Sequence, residues 1–419
     1  MLHKGKLIVF LCSALIVLYV VSAAFYGKVV AKDEGYKELR VFMDALKKIN
    51  DDYVEAPDMS KVQGGAMRGL LEALDPYSSF LTKDEFQALE KRKASGTAGV
   101  GMIISKRADV IYVVSTERSG AGADAGIRPG DYLVAIDGSG IDDKSILEVD
   151  SLLRGEPGSK VKLTIFRSSR TKPLEIELTR KVDAPVSVIS KMLDGNVGLL
   201  DVSSLANSTV DQVRVKLKTL ISAGAQKLIL DVRDCADGTV SDGAELANLF
   251  LKSGVIYYSQ NRQGEKVHEV QANPDKFVTD LPLVVLMNGS TAGPAEVTVG
   301  ALKDQKRAIV VGEKSFGVGS SQKAIPLKSG AVLILSTAKY YTPSGKSIQD
   351  EESLRNTGIK PDVQAPDDDR RQDLMVESYY DEQEDAGKYR QLQDKIDKIQ
   401  LEKALEVLSK SQTQLKKAA

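Results

Sequence analysis

The apolar positions change their period several times along the chain. The run Leu7–Phe25 carries 19 residues without a charge behind the basic start MLHKGK, a length that fits a membrane span or a long secretory leader. Val21-Ser22-Ala23 approximates a small-x-small cleavage site, but the run is long for a signal peptide, which favours a retained anchor. A buried core helix fits poorly, because the run sits at the terminus with a basic flank and no amphipathic face. Residues 1–30 are therefore read as a signal peptide or membrane anchor. Either reading puts the bulk of the chain across a membrane, in a periplasmic or other extracytoplasmic part of the cell envelope.

Helical periodicity follows. Leu39, Phe42, Leu46 and Ile49 share one face of residues 33–50, and MSKVQGGAMRGLLEAL repeats the pattern with Val62, Met67, Leu70, Leu71 and Leu74. DPYSSFLT (Asp75–Thr82) ends that helix, because proline disfavours its continuation. Asp84–Arg92 reads as a short third helix, so 31–95 is expected to be helical. Within 96–182 the period becomes that of strands in VIYVVST, KVKLTIFR and PLEIELTR, with two brief helices. That pattern predicts a compact, partly open β-barrel-like domain. From 183 to 366 apolar strands (196–205, 226–234, 281–289, 307–313, 331–343) are separated by helices (208–223, 242–252, 293–304), the signature of a crossover-connected sheet. The tail, 367–419, predicts one or two helices bearing Leu401, Leu405 and Leu408, either solvent-exposed or used for docking or oligomerisation. The fold class is multi-domain α/β.

Composition narrows what such a chain does. Its 419 residues hold 42% hydrophobic and 27% charged positions, an ordinary globular balance, and the net charge of -1 steers it to no nucleic acid. Cys12 lies in the leader and Cys235 is the only cysteine beyond it, which gives no intrachain disulfide framework. His3 and His268 share no ligand spacing, so neither a metal nor a cofactor is expected.

Candidate chemistry gathers at two strand ends. MNGSTAGPAE (287–296) leaves a strand and enters a helix, the setting of a nucleophile elbow; Ser290 and Thr291 are candidates there, and helix capping is the plainer role. With no histidine at hand a serine would need a lysine or carboxylate, such as Lys314 or Lys303. Glu296 is either a buried polar anchor or a favourable charge on the helix's first turn. In DVRDCADG (231–238) Gly238 marks a backbone turn whose amides would either line an oxyanion hole or simply connect strand to helix. Cys235 reads as a buried apolar residue rather than a redox nucleophile.

Four stretches and a closing motif then resemble one family. DPYSSFLT, GVGM with AGIRPGDYLVAIDG and LLRGEPGSKVKLTI, LILDVRDCADG, NGSTAGPAEVTVGALKDQKRAIVVGEKSFGVGSSQ, and YYTPSGKSIQDEE with GIKPDV are similar to carboxyl-terminal processing peptidases, the PDZ-containing serine peptidases of family S41, over about residues 35–365. The resemblance implies a PDZ domain within 96–182 that binds protein or peptide C-termini through Gly99, Val100, Gly101 and Met102. It implies an S41-like core at 183–366 with a Ser-Lys dyad and an orienting Gln, and helical flanks that pair subunits. Anchoring on Glu296 puts the nucleophile position at Gly293, the base at Val318 and the orienting residue at Gln322. Glycine has nothing to attack with and valine cannot accept a proton. The implied protein is a pseudoprotease that binds C-termini without cleaving. The alternative is an active endopeptidase with Ser290 or Thr291 as relocated nucleophile and Lys314 as base.

Overall fold

A computed structural model describes residues 18, 37–95, 98–107, 110–182, 188–206, 208–349, 357–367 and 386–418. Apart from Leu18, the expected leader lies outside the described residues, among which no helix is long and apolar enough to cross a membrane. The chain forms two compact units, one up to Gly69 and one from Leu70. The first holds α1 (Lys37–Asp52) and most of α2 (Met59–Glu72). Asp58 starts α2 by accepting the amides of Ser60 (3.0 Å) and Lys61 (3.3 Å), the use of an aspartate at a helix start that satisfies orphan donors.

The second unit opens with β1 (Ser79–Leu81) and α3 (Lys83–Ser95), then β2 (Ala98–Gly99), β3 (Met102–Arg107), β4 (Val110–Thr116) and α4 (Ala121–Asp124). It continues through β5 (Tyr132–Ile136), β6 (Ser139–Gly140), α5 (Ile146–Leu153), β7 (Lys160–Phe166), β8 (Leu174–Thr179) and β9 (Lys181–Val182). These strands form an antiparallel sheet in the order β3-β4-β5-β7-β8, with β6 on β5 and β3 at the edge, while β2 pairs with β9. KVKLTIF in β7 shows why: Val161, Leu163 and Ile165 alternate inward and are buried, whereas Lys160, Lys162 and Phe166 are exposed. Ser145 and Glu148 form a reciprocal capping box that starts α5, whose Val149 and Leu153 close the same core.

The remainder runs β10 (Ile189–Leu193), β11 (Val197–Asp201), α6 (Thr209–Ser222), β12 (Lys227–Asp231), α7 (Val240–Asn248), β13 (Val255–Gln260) and β14 (Lys266–Gln271). Next come β15 (Leu283–Met287), α8 (Pro294–Asp304), β16 (Ile309–Gly312), β17 (Ser320–Pro326), β18 (Val332–Tyr341), β19 (Val363–Gln364) and α9 (Ala386–Ala418). The main sheet has the order β10-β11-β12-β15-β16-β19 and is parallel from β11 onward. Every residue of β12 and β15 is buried, as a sheet covered on both faces requires. One face packs on α6, α7 and α8; on the other, Ala404 and Leu408 of α9 sit over Val197, Ile229, Leu286 and Val311. The tail helix is therefore a structural layer, not a solvated appendage.

The run 331–343 departs from the expectation of one sheet. As β18 it belongs to a second, antiparallel sheet, β1-β18-β13-β14, with β17 also on β18. Its residues are mostly half-buried, unlike those of β12 and β15, and it doubles back on β17 through a turn in which the Leu327 amide donates to the Ala331 carbonyl at 2.8 Å. In the β13–β14 hairpin only β13 (VIYYSQ) carries an apolar signature, because β14 is almost wholly exposed.

Candidate active site

The turn between β15 and α8 is held by groups that looked reactive in the sequence. Thr291 is wholly buried; its hydroxyl donates to the Val232 carbonyl (2.8 Å) and accepts the Asn288 amide (3.1 Å). Asn288 Oδ1 in turn accepts the amides of Ser290 (3.1 Å) and Asp234 (3.0 Å), and its Nδ2 donates to Asp234 Oδ1 (2.8 Å). The Ala292 amide donates to the Cys235 carbonyl at 2.9 Å. The loops after β12 and β15 are thus one hydrogen-bonded body, and Thr291 serves as a strut within it.

At the end of this turn Gly293 adopts φ +54 and ψ −111, a backbone that strains any residue with a side chain. A Cβ placed there would meet nothing within 4 Å outside its chain neighbours, so the position looks into open space. Three residues on, the Glu296 side chain turns back beneath it. Its Oε2 accepts the amides of Gly293 (2.9 Å) and Val318 (2.8 Å), and its Oε1 accepts the Gly317 amide (2.7 Å) and the Ser315 hydroxyl (2.5 Å). One carboxylate oxygen therefore brings positions 293 and 318 side by side. Glu296 is wholly buried, and desolvation raises its pKa to about 7 against four donors that favour the anion. It is the buried anchor of the two sequence readings.

Positions 293 and 318 open on a cavity of about 420 Å³. Gln322 and Gly238 line it with them, and Ile103, Ser105 and Val114 of the β3–β4 hairpin form another wall. No Asp, Glu, Lys, Arg or His lies among the described residues that line it. Tyr77 offers a phenol, but burial pushes it up to about 12, so it does not serve as a base near neutrality. Gln322 Nε2 donates to Ser320 Oγ (2.9 Å) and Ser336 Oγ (3.2 Å). Ser290, Thr291 and Lys314 do not line this cavity, although the Lys314 carbonyl lies 4.0 Å from a Cβ built on Gly289, beside the same turn.

The β12 loop joins the same body. Asp234 takes φ +61, and its carbonyl accepts the Ser115 hydroxyl from the end of β4 at 2.7 Å. Arg118 forms an ion pair with Asp201 at the end of β11 (2.5 Å). Cys235 is wholly buried, and burial pushes its thiol well up, which suits a packed apolar residue. Iodoacetamide is accordingly expected to leave Cys235 unmodified in the native chain and to label it in denaturant, as read by peptide mapping.

In the loop before β3, the carbonyls of Val100 and Gly101 accept the amides of Gly122 (2.8 Å) and Glu117 (2.9 Å). A trans peptide then points the Gly101 and Met102 N–H groups to the opposite side. Gly99 is held in β2 by pairing with β9, and Met102 is buried against Gly122.

Residues 196–365 match the profile of "Peptidase family S41", and 112–167 match a "PDZ domain". A carboxy-terminal-processing protease of Bartonella bacilliformis is 32% identical over 332 residues, covering 78% of this chain and 75% of that protein. The chain belongs to the carboxy-terminal-processing protease family. The carboxy-terminal processing protease CtpA of Bacillus subtilis is 29% identical over 77% of this chain and 67% of its own. Among solved structures the photosystem II D1 C-terminal processing protease aligns with a TM-score of 0.64 and 26% identity, over 78% of this chain and 93% of that one.

For this carboxy-terminal-processing family member, the PDZ match begins after the Gly99–Met102 loop, so the loop's assignment rests on its place at the head of the edge strand β3. The sequence reading missed the cavity walls at Tyr77, Ser105 and Ser320. The signal for Tyr77 was present in DPYSSFLT, where Asp75 Oδ1 accepts the amides of Tyr77 and Ser78 (2.8 Å each) and so fixes the turn that presents the phenol.

Proposed function

We propose that this family member is a PDZ-containing pseudoprotease, which binds protein C-termini as an adaptor or scaffold and leaves them uncut. The observation that carries the reading is the pair Gly293 and Val318, side by side on Glu296 and facing a cavity whose described lining residues include no charged or basic group. A serine hydrolase missing both nucleophile and base loses on the order of 10⁶-fold in turnover. The PDZ part supplies recognition: an extended peptide would add to the edge of β3, with its carboxylate at the outward amides of Gly101 and Met102. The domain division at 96–182 and 183–366 belongs to the same reading. So do a place in the cell envelope with the leader as membrane contact, and pairing of subunits through the helical flanks.

The relocated-nucleophile alternative has less support. Thr291 is committed to Val232 and Asn288, and neither Ser290 nor Lys314 lines the cavity. The test is a titration of the purified chain with fluorescent peptides of apolar C-terminal sequence, free or amidated. Free-carboxylate peptides are expected to bind and to be recovered at full length, with amidation weakening binding at least about tenfold, since an ionised acceptor held by amides is worth roughly 1.5–3 kcal/mol. Equal binding of both forms contradicts C-terminal recognition, and shortened peptides contradict the pseudoprotease.

A further inference from the structure

The amides at the start of α8 can be followed one by one, and none is left for a ligand. Thr291 N–H donates to Asn288 O, Ala292 N–H to Cys235 O and Gly293 N–H to the Glu296 carboxylate. Ala295 and Glu296 donate to Ala292 O and Gly293 O. The remaining member of the turn is Pro294, which has no N–H. Where a nucleophile stands on a strand-to-helix turn, the amide of the next residue commonly holds the oxyanion of the tetrahedral intermediate. Position 294 is that residue here.

Proline at the first position of a helix is ordinary, because that N–H has no helical partner. The feature that goes beyond helix chemistry is its coupling to Gly293. The fold leaves room for a side chain at 293, with nothing within 4 Å of a built Cβ outside its chain neighbours. The crowding comes from the neighbour itself, since a proline Cδ clashes with the Cβ of the residue before it. At φ +54 such a Cβ is already disfavoured, and the following ring disfavours it further.

We propose that Pro294 is a third determinant of the silent site, joined to Gly293: its ring removes the oxyanion donor and bars a nucleophile's side chain from position 293. The inference rests on the pseudoprotease reading. It implies that restoring the dyad alone, Gly293→Ser with Val318→Lys, leaves the site nearly inert, whereas adding Pro294→Ala repairs it. In the repaired site the introduced hydroxyl oxygen bonds to the scissile carbonyl carbon and its proton passes to the neutral lysine amine. The carbonyl electron pair moves to the oxygen, which the amide of residue 294 stabilises. Collapse breaks the C–N bond, and the leaving amine takes the proton from the lysine. Water, with the lysine as base, then hydrolyses the acyl ester.

The full chain, the double variant and the triple variant are each incubated with an unstructured substrate bearing a free C-terminus, and cleavage is followed by intact mass. The triple variant is expected to cleave at least about 100-fold faster than the double, the scale of one oxyanion donor. Equal rates, both zero included, with a silent unsubstituted chain overturn the role of Pro294 alone. Cleavage by the unsubstituted chain overturns the underlying reading and the inference with it. Thermal unfolding supplies an arm independent of catalysis: Gly293→Ser is expected to lower the midpoint more in the Pro294 background than beside Pro294→Ala. An equal drop in both backgrounds overturns the steric coupling.

Discussion

Replacing Glu296 by alanine is expected to destabilise the α/β core by on the order of 4 kcal/mol, enough to abolish folding in a marginally stable domain. The carboxylate is the sole acceptor described for the amides of Gly293, Gly317 and Val318, and it also takes the Ser315 hydroxyl, all inside a wholly buried pocket. Its removal strands three backbone donors and opens a void, so two loops that it holds together lose their common point. Glu296→Gln keeps the shape but offers one oxygen and a competing NH₂, and is expected to fall between alanine and the native chain. The same group gives the core a pH dependence with a defined sign. Its pKa is raised from 4.5 to about 7, so the folded state holds the proton more tightly than the unfolded state. The associated stability is fully present below about pH 4.5 and is lost as pH rises through about 7. Thermal midpoints of the native chain and Glu296→Gln between pH 5 and 8 check this: the native chain's advantage should shrink with rising pH, and a constant difference contradicts it.

Arg233→Ala is expected to cost about 3–5 kcal/mol, because it leaves a buried carboxylate without its cation. Asp231 is 3% exposed and receives Arg233 Nε at 2.9 Å and Nη2 at 2.6 Å. The third guanidinium nitrogen, Nη1, donates to Asp397 Oδ1 (2.8 Å) and Gln400 Oε1 (3.0 Å) on α9. Gln400, buried to 1% exposure, continues to the Ala365 carbonyl at 3.0 Å. One side chain thus ties the end of β12 to the helix that packs on the second face of the sheet. Arg233→Lys keeps the charge but cannot bridge three partners in one plane, and should recover only part of the loss. Limited proteolysis with mass mapping reads the outcome: cleavage within α9 should accelerate in Arg233→Ala and stay slow in the native chain. Unchanged protection of α9 in Arg233→Ala contradicts the tie.

The parallel strands were legible because both faces are buried, which makes β15 a continuous apolar run and gives β12 the apolar centre Leu228-Ile229-Leu230. β18 and its sheet were not, since VLILSTAKYY has the same apolar content and only its long-range pairing with β1 and β13 separates the two sheets. The role of α9 was equally hidden: Leu401, Leu405 and Leu408 announce an apolar face but not what covers it, and the polar pins Asp397 and Gln400 look like surface residues in the sequence. At the site, counting from Glu296 to Gln322 located positions 293 and 318. It could not reveal that one carboxylate oxygen binds the amides of both, because backbone donors leave no mark on residue identity. Pro294 was in view throughout, but its missing N–H gained meaning only once every neighbouring amide had a partner.

That the chain leaves C-termini uncut is tested most directly by intact mass spectrometry. The purified chain is incubated with a protein bearing an unstructured, apolar C-terminal tail, beside Ser290→Ala and Thr291→Ala variants. An unchanged substrate mass is expected in every case. A shortened substrate whose production stops in either variant would contradict it and establish the relocated nucleophile.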